Sequence, residues 1–394
     1  VNIGVFCLVL GYVLSQFYRA FLAVLSPVLG AEIGTTPETL ALSNGIWFLS
    51  FAAMQIPVGW ALDRIGPRIT ASVLLAIGGG AGALVFAYAD GPGAVHVAMA
   101  LIGIGCSPVL MASFYIFARQ YSAAVFATLA GAVVGIGSLG NIAASLPLAW
   151  AADLWGWRGT SIALAVATVA VALALFAFIQ DPEKVERNEA NKGSLLDILK
   201  MPAIWLVLPM ALVNYAPAAG LRGTWAGPYF SQVHGLDAAG IGQVTLFMGL
   251  AMIVGNLSYG PMDRLFGTRK WVVLVGNTAA ASCLLGLAFL PGSTLVSAAL
   301  LFALAGLFGS SFPMIMAHGR AFIPPHLAGR GVTLLNLFGI GGAGLIQFAS
   351  GPLFRSFRAS AGSPEQAYQT LFLTFAVFVL VGCAIYLFSK DRTD

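Results

Sequence analysis

Two arginines of this chain stand in surroundings that disfavour charge. Arg19 and Arg222 each fall inside an apolar run long enough to cross a membrane. A guanidinium at that depth costs at least about 2.5 to 3.5 kcal/mol. All fifteen acidic residues read as loop, helix-end or linker residues, so no carboxylate is expected beside either arginine. Cavity water and an anionic or electron-rich ligand are then the natural partners of the two charges. The same lack of a mid-run carboxylate argues against the common route of coupling to protons or sodium. It leaves His318 as the one imidazole placed to titrate inside a helix.

Helical spacing sets other polar residues beside these charges. Gln16 and Arg19 are three apart and share a face. Asn214, Arg222 and Trp225 lie at i, i+8 and i+11, with Tyr215 next to them. Ser107, Met111, Tyr115 and Arg119 descend one helix in steps of four, and Gly137, Asn141 and Ser145 descend another. Aromatic rings near an arginine suit a planar ligand by stacking, or a carboxylate by pairing. Each polar residue taken singly has a second reading, as a hydrogen bond between helices.

Other chemistries find less in the sequence. Met248 and Met252 share a helix face, and Met314, Met316 and His318 offer further soft donors. Thioethers and imidazole suit Cu(I), so Met248, Met252 and His318 form an alternative metal set. The four cysteines lie in apolar runs without metal-ligand spacing and read as small core residues. Glycine-rich stretches such as Gly78–Gly80 lie too deep in helices to cradle phosphate and instead let helices approach closely. No nucleophile, base or metal constellation points to an enzyme, and no cofactor is expected. The net charge of +4 is scattered, without the basic patch that nucleic acid requires.

The elements that position these residues follow from composition. The chain is 59% hydrophobic and 9% charged, against about 25% charged in soluble domains. In lipid, only helices and closed barrels satisfy their own backbone. Apolar runs beyond twenty residues without alternation select helices. The runs fall near 3–29, 39–62, 69–89, 94–118, 123–150 and 159–179, then 202–231, 238–261, 271–290, 294–318, 331–354 and 367–388. An all-α membrane protein is expected, with twelve transmembrane helices in two six-helix bundles, residues 1–179 and 201–394. The hydrophilic residues 180–200 join them as a linker with a short surface helix. Lys and Arg number fourteen on one side and three on the other (Arg158, Arg355, Arg358). That bias places both termini and the linker in the cytoplasm. The first apolar run lacks the basic segment and cleavage site of a signal peptide, so none is expected, and the opening Val1 suggests a trimmed start.

One phrase occurs twice. Gly59, Asp63, Arg64, Gly66 and Arg68 end the second run and open the third. Asp263, Arg264, Gly267, Arg269 and Lys270 do the same about 200 residues later, with one extra residue in the turn. Gly135-Ile-Gly137 before Pro147 is matched by Gly339-Ile-Gly341 before Pro352, and Gly105-Cys-Ser107 by Gly309-Ser-Ser311, at nearly the same offset. The chain is therefore a parallel duplication, an arrangement of rocking transporters with a site at the interface of the halves.

The charged loop resembles the G-x-x-x-D-R-x-G-x-R/K motif of the major facilitator superfamily, and the resemblance covers essentially the whole chain. It implies a two-bundle, alternating-access solute transporter whose first and seventh helices, carrying Arg19 and Arg222, line the central cavity. It also implies gating roles for Gly59, Asp63, Arg64, Arg68, Asp263, Arg264 and Arg269, with Arg119 as the partner of Asp63. Gln16-Phe-Tyr18-Arg19 followed by Leu22 to Pro27 resembles the first helix of organic-anion transporters in this superfamily, which adds Tyr18 to the candidate site. Gly223-Thr-Trp225-Ala-Gly-Pro228-Tyr229 resembles a subgroup of bacterial importers of copper and riboflavin, although this chain has no His-x-x-x-Met pair.

The expected function is uptake of a small organic solute, anionic or planar and aromatic (a carboxylate or a vitamin such as riboflavin), by a monomer in the bacterial inner membrane. The contacts would come from Arg19, Tyr18, Gln16, Tyr115, Asn141, Asn214, Tyr215, Arg222 and Trp225. Copper(I) import is the alternative, and a receptor built on a transporter fold is a third reading that the two retained loops oppose.

Overall fold

The computed structural model describes residues 3–121, 123–182, 195–290, 294–324 and 327–393. Most of the expected linker, with Lys184, Arg187 and Lys192, lies outside the described residues. Among the described residues every regular element is helical, as an apolar chain in lipid requires. Ten helices are long and apolar enough to cross a membrane, and an eleventh crossing is a bent pair.

That bent pair is the first span. α1 (Ile3–Tyr18) and α2 (Phe21–Ile33) meet at 47°. The unbroken helix expected through Arg19 is thus corrected: Arg19 and Ala20 form a turn, in which the Ala20 amide donates to the Phe17 carbonyl at 3.0 Å. Neither Gly nor Pro marks the break, and the apolar pattern runs straight across it. Farther along, Pro27 cannot donate to the carbonyl four residues back, and the Ser26 hydroxyl donates to that Ala23 carbonyl at 2.8 Å instead.

The second span is α3 (Pro37–Ala53) and α4 (Gln55–Arg64), opened by a capping box between Thr36 and Thr39. The third is α5 (Pro67–Leu74), a π turn at Leu75–Gly80 and α6 (Ala81–Ala87); the fourth is α7 (Pro92–Gln120). The fifth is segmented into α8 (Ala123–Gly137), α9 (Leu139–Ala143) and the start of α10 (Leu146–Phe178). α10 turns at Gly156 (φ 69°) and continues as the sixth. α11 (Leu195–Leu199) is the short helix after the linker, and a 3₁₀ turn at Pro202–Leu206 leads into α12 (Leu208–Gly220). A π turn at Leu221–Trp225 and α13 (Ala226–His234) complete the seventh span. α14 (Ala238–Phe266), α15 (Lys270–Phe289), the pair α16 (Leu295–Gly309) and α17 (Phe312–Arg320), α18 (Ala328–Ser360) and α19 (Pro364–Tyr386) follow.

The chain groups into two compact units. One comprises Val1–Glu186 with Gly223–Ser231 and Gly235–Leu246; the other comprises Arg187–Arg222, Gln232–His234 and Phe247–Asp394. This differs from a division at the linker alone, because most of α13 and the start of α14 belong with the first unit. Glycine explains the grouping. A Cβ on Gly223 would lie 2.6 Å from the Arg19 carbonyl oxygen, and one on Gly227 would lie 1.9 Å from that of Ala23. Only a residue without Cβ brings these backbones so close.

Candidate functional site

In the first unit the turn between α1 and α2 delivers Arg19, 9% exposed, to the aromatic face of α3. Its guanidinium carbon lies 5.2 Å from the Trp47 ring centre and 5.1 Å from that of Phe51. These two rings stack on each other at 5.2 Å and 21°. Their electron-rich faces offset part of the burial of the charge. Among the described residues the Arg19 side chain has no ion pair, and its Nε is a buried donor without an acceptor. The Trp47 Nε1 donor, the Asn44 Oδ1 and the Gln16 Oε1 are also buried without partners. Native proteins leave few buried polar atoms unsatisfied. Here they gather on Arg19, on the α3 face that holds it and on the helix leading to it. Two of them, Nε of Arg19 and Nε1 of Trp47, are donors suited to an anion.

Asn44, Trp47 and Phe51 are residues that sequence reasoning missed. Their spacing along α3 marks one face, but nothing in the sequence says that the first span's arginine lies on it. Asn44 also ties this face to the seventh span, donating from Nδ2 to Thr224 Oγ1 at 2.6 Å.

The other expected residues of this unit divide. Gln16 keeps its place near the turn, its amide donating to the Tyr12 hydroxyl at 3.2 Å. Tyr18, expected as a ligand contact, stands inside the packing of the unit. It is 1% exposed, hydrogen-bonds Thr168 at 2.9 Å and makes edge contacts with Phe17 and Phe21. Tyr115 lies away from Arg19, beneath the Arg119 guanidinium at 4.1 Å, and joins the charged loop instead. Asn141 lies in the middle of the short helix α9, three residues past the break at Ser138, its backbone amide donating to the Ser138 carbonyl at 3.0 Å. The breaks there rephase the expected stripe of Gly137, Asn141 and Ser145. Trp225 is fully buried, and the π turn it ends likewise rephases the expected stripe with Asn214 and Arg222.

In the second unit Arg222 is 4% exposed. A Cβ on Gly249 would come within 3.2 Å of its Nη2 and 3.3 Å of its Nε, so the glycine provides the seat for the guanidinium. Tyr215 packs near Phe312, ring centres 6.5 Å apart. Asn214, expected as a ligand contact, braces three helices. Its amide donates to Asn277 Oδ1 at 2.7 Å, Ser311 Oγ at 3.0 Å and the Gly309 carbonyl at 3.3 Å, joining α12 to α15 and the break between α16 and α17.

The two charged loops build related but unequal locks. Asp63 and Arg119 approach to 3.8 Å at side-chain exposures of 38% and 26%, the pairing expected from sequence. Asp263 instead pairs within its own loop, with Arg269 Nε at 3.1 Å. Arg64 and Arg264 are exposed, and a Cβ added to Gly59 would meet only the Met111 methyl, at 3.8 Å. Gly66 (φ 111°) and Gly267 (φ 64°) hold backbone conformations that side chains rarely adopt. Beyond each glycine a carboxylate from the end of the same unit caps the next helix. Asp181 accepts from the Arg68 amide at 2.8 Å. Asp391 accepts from the Arg269 and Lys270 amides at 3.2 and 3.0 Å and from the Thr268 hydroxyl. Burial acts to raise the Asp391 carboxyl, but these donors outweigh it and hold it below its ordinary value. Neither acid was singled out from sequence, though both stand just past the last apolar residues of the sixth and twelfth spans.

The alternative metal set does not assemble. Met248 and Met252 fill the groove over Gly306, where a Cβ would meet their Cγ atoms at 3.1 and 2.9 Å. Both ring nitrogens of His318 are engaged, Nε2 with the Lys390 carbonyl at 2.9 Å and Nδ1 with the Tyr386 hydroxyl at 2.5 Å. A carbonyl only accepts, so Nε2 carries a proton. The imidazole is fully buried and both its nitrogens are engaged within the protein.

Known proteins agree with this architecture. The model of the Major Facilitator Superfamily matches residues 8–347. The chain belongs to that superfamily: it is a membrane transporter by class and not an enzyme. It is similar to a putative tartrate transporter of Agrobacterium vitis, 24% identical over 357 residues, covering 83% of this chain and 78% of that protein. It is also similar to a probable sulfoacetate transporter of Cupriavidus necator, 27% identical over 291 residues, covering 67% of this chain and 65% of that one. Among solved structures, a bacterial homolog of the human lysosomal transporter Spinster, inward-facing and occupied, superposes with a TM-score of 0.80 at 18% identity, covering 98% and 96% of the two chains. A D-xylose-proton symporter gives 0.74 at 13% identity, covering 95% and 96%.

Proposed function

We propose that this chain imports a small organic anion bearing two acidic groups across the bacterial inner membrane by alternating access. One observation carries the reading: among the described residues the buried Arg19 guanidinium, backed by Trp47 and Phe51, has no carboxylate partner and a buried N–H without an acceptor. A planar fork of donors held against aromatic faces matches a carboxylate or sulfonate. Relatives named for tartrate and sulfoacetate support a dianion, since both compounds carry an acid group at each end. The Asp63–Arg119 and Asp263–Arg269 pairs act as gating contacts that break and reform as the transporter cycles, with both termini cytoplasmic and the monomer as working unit. Riboflavin fits less well than an organic acid at the buried Arg19 guanidinium. Among the described residues His318 is engaged and Met248 and Met252 are packed, which favours an organic anion over copper.

The test is ligand-induced stabilisation of the purified protein by tartrate, sulfoacetate, succinate, riboflavin and Cu(I). A ligand at a hundred times its dissociation constant adds about 2.7 kcal/mol. Stabilisation by the dianions, lost in Arg19→Ala, is expected. A response to riboflavin or Cu(I) with none to the acids overturns the proposal.

A further inference from the structure

Gln347 is a buried polar residue of the second unit whose whole side-chain amide is unsatisfied among the described residues. It lies on α18, is fully buried, and neither Nε2 nor Oε1 has a hydrogen-bond partner among the described residues. Its amide rests against the last residue of α12. A Cβ on Gly220 would fall 1.9 Å from Nε2, so the absence of a side chain there is what admits the amide. Gly220 directly precedes the π turn that carries Arg222. The same short stretch of the seventh span therefore seats the amide at Gly220 and supplies the buried guanidinium two residues later.

A buried amide with both ends unsatisfied gives up its bonds to water and recovers nothing for either group. An apolar residue of similar size would avoid that loss. Inside the bundle, Asn214 shows what a bracing amide looks like: three acceptors within 3.3 Å. Gln347 braces nothing. One donor and one acceptor, side by side, are the complement of a hydroxyl group, which accepts and donates from a single atom.

Resting on the dianion reading above, we infer that Gln347 is a specificity-determining residue that recognises a hydroxyl on the substrate's carbon chain, so that the preferred class is the small hydroxy-dicarboxylate. A site built to hydrogen-bond a hydroxyl discriminates strongly against the analogue lacking it, because the amide is then left unpaired.

The experiment is competition between tartrate, malate and succinate, which share one four-carbon frame with two, one and no hydroxyls, on the full chain in proteoliposomes. It uses wild type, Gln347→Leu and Gly220→Ala. The alanine methyl meets only the mobile end of the glutamine, so it displaces the amide at little structural cost, and it serves if the leucine variant fails to fold. Wild type is expected to prefer tartrate to succinate. Both variants should lower that preference about tenfold or more, with the inhibition constant for succinate unchanged. A preference for tartrate that survives in both variants overturns the role of Gln347 while leaving the dianion reading intact. A wild type that prefers succinate overturns it in the same way. Failure of wild type to bind any of the three acids overturns both.

Discussion

Replacing Arg19 by methionine separates a binding arginine from a structural one, because the two predict opposite signs of stability. Methionine keeps the length of the side chain and its contact with Trp47 and Phe51 while removing the charge. Relief from burying the guanidinium is worth at least about 2.5 to 3.5 kcal/mol at membrane depth. Against this stand two ring contacts at 5.2 and 5.1 Å, together about 2 kcal/mol, partly replaced by sulfur–aromatic contact. The net expectation is a gain of about 1 kcal/mol in the ligand-free protein. Binding moves the other way. Two hydrogen bonds from a charged donor at about 1.5 kcal/mol or more each amount to a loss of affinity of at least about a hundredfold. Arg19→Lys, a point charge in place of a fork, should lose about tenfold or more. The assays are thermal unfolding of the ligand-free protein and uptake of labelled tartrate into proteoliposomes. A methionine variant that melts earlier than wild type, or that transports normally, refutes the reasoning.

Three further outcomes follow from the geometry. Gly227→Ala places a methyl against the Ala23 carbonyl, 1.9 Å from its oxygen at the ideal position; backbone cannot yield as a side chain can, so a loss of about 1 to 3 kcal/mol and a tenfold drop in uptake are expected, and wild-type uptake would show that this approach is dispensable. His318→Ala strands the Tyr386 hydroxyl and should lower stability by about 1 to 3 kcal/mol without changing anion uptake per folded molecule, while Met248→Leu with Met252→Leu should leave Cu(I) accumulation unchanged. The Asp391 carboxyl is depressed below 3.8 by its donors, so its contribution is complete above about pH 4 and disappears as pH falls through the depressed value. Acid unfolding curves of Asp391→Asn should therefore converge with wild type only at the acid end; curves offset equally at every pH would contradict this.

Most of the fold was legible because lipid allows so few solutions. Twenty apolar residues between charged turns must be a helix, and the span starts at Pro37, Pro67, Pro92 and Pro364 lie within three residues of where hydropathy put them. What escaped were interruptions inside spans. The bend at Arg19, the break at Ser138 and the π turn at Leu221–Trp225 lie within uninterrupted apolar pattern, and each rotates the residues beyond it. Face arguments built on uniform spacing do not carry across those points: the stripe of Asn214, Arg222 and Trp225 runs through the π turn, and that of Gly137, Asn141 and Ser145 runs through the break at Ser138. The candidate site was half legible. An uncompensated arginine is visible in any sequence, but the rings that receive it come from a different span. The deciding contact of Gln347 is with a glycine, a residue that advertises closeness without saying to what.

The carboxylates at the unit ends bear on how the protein is made. Asp181 closes onto the Arg68 amide across 113 residues of chain. At a synthesis rate of about 5 to 20 residues per second, the third helix waits roughly 6 to 23 s for its cap. The later unit repeats the delay across 121 residues between Lys270 and Asp391. Each half therefore reports its own completion: its third helix is capped only once its sixth has been threaded into the bilayer. A nascent chain stalled within either half would expose an uncapped helix end bearing the basic loop, a feature by which quality-control proteases could tell an unfinished half from a finished one.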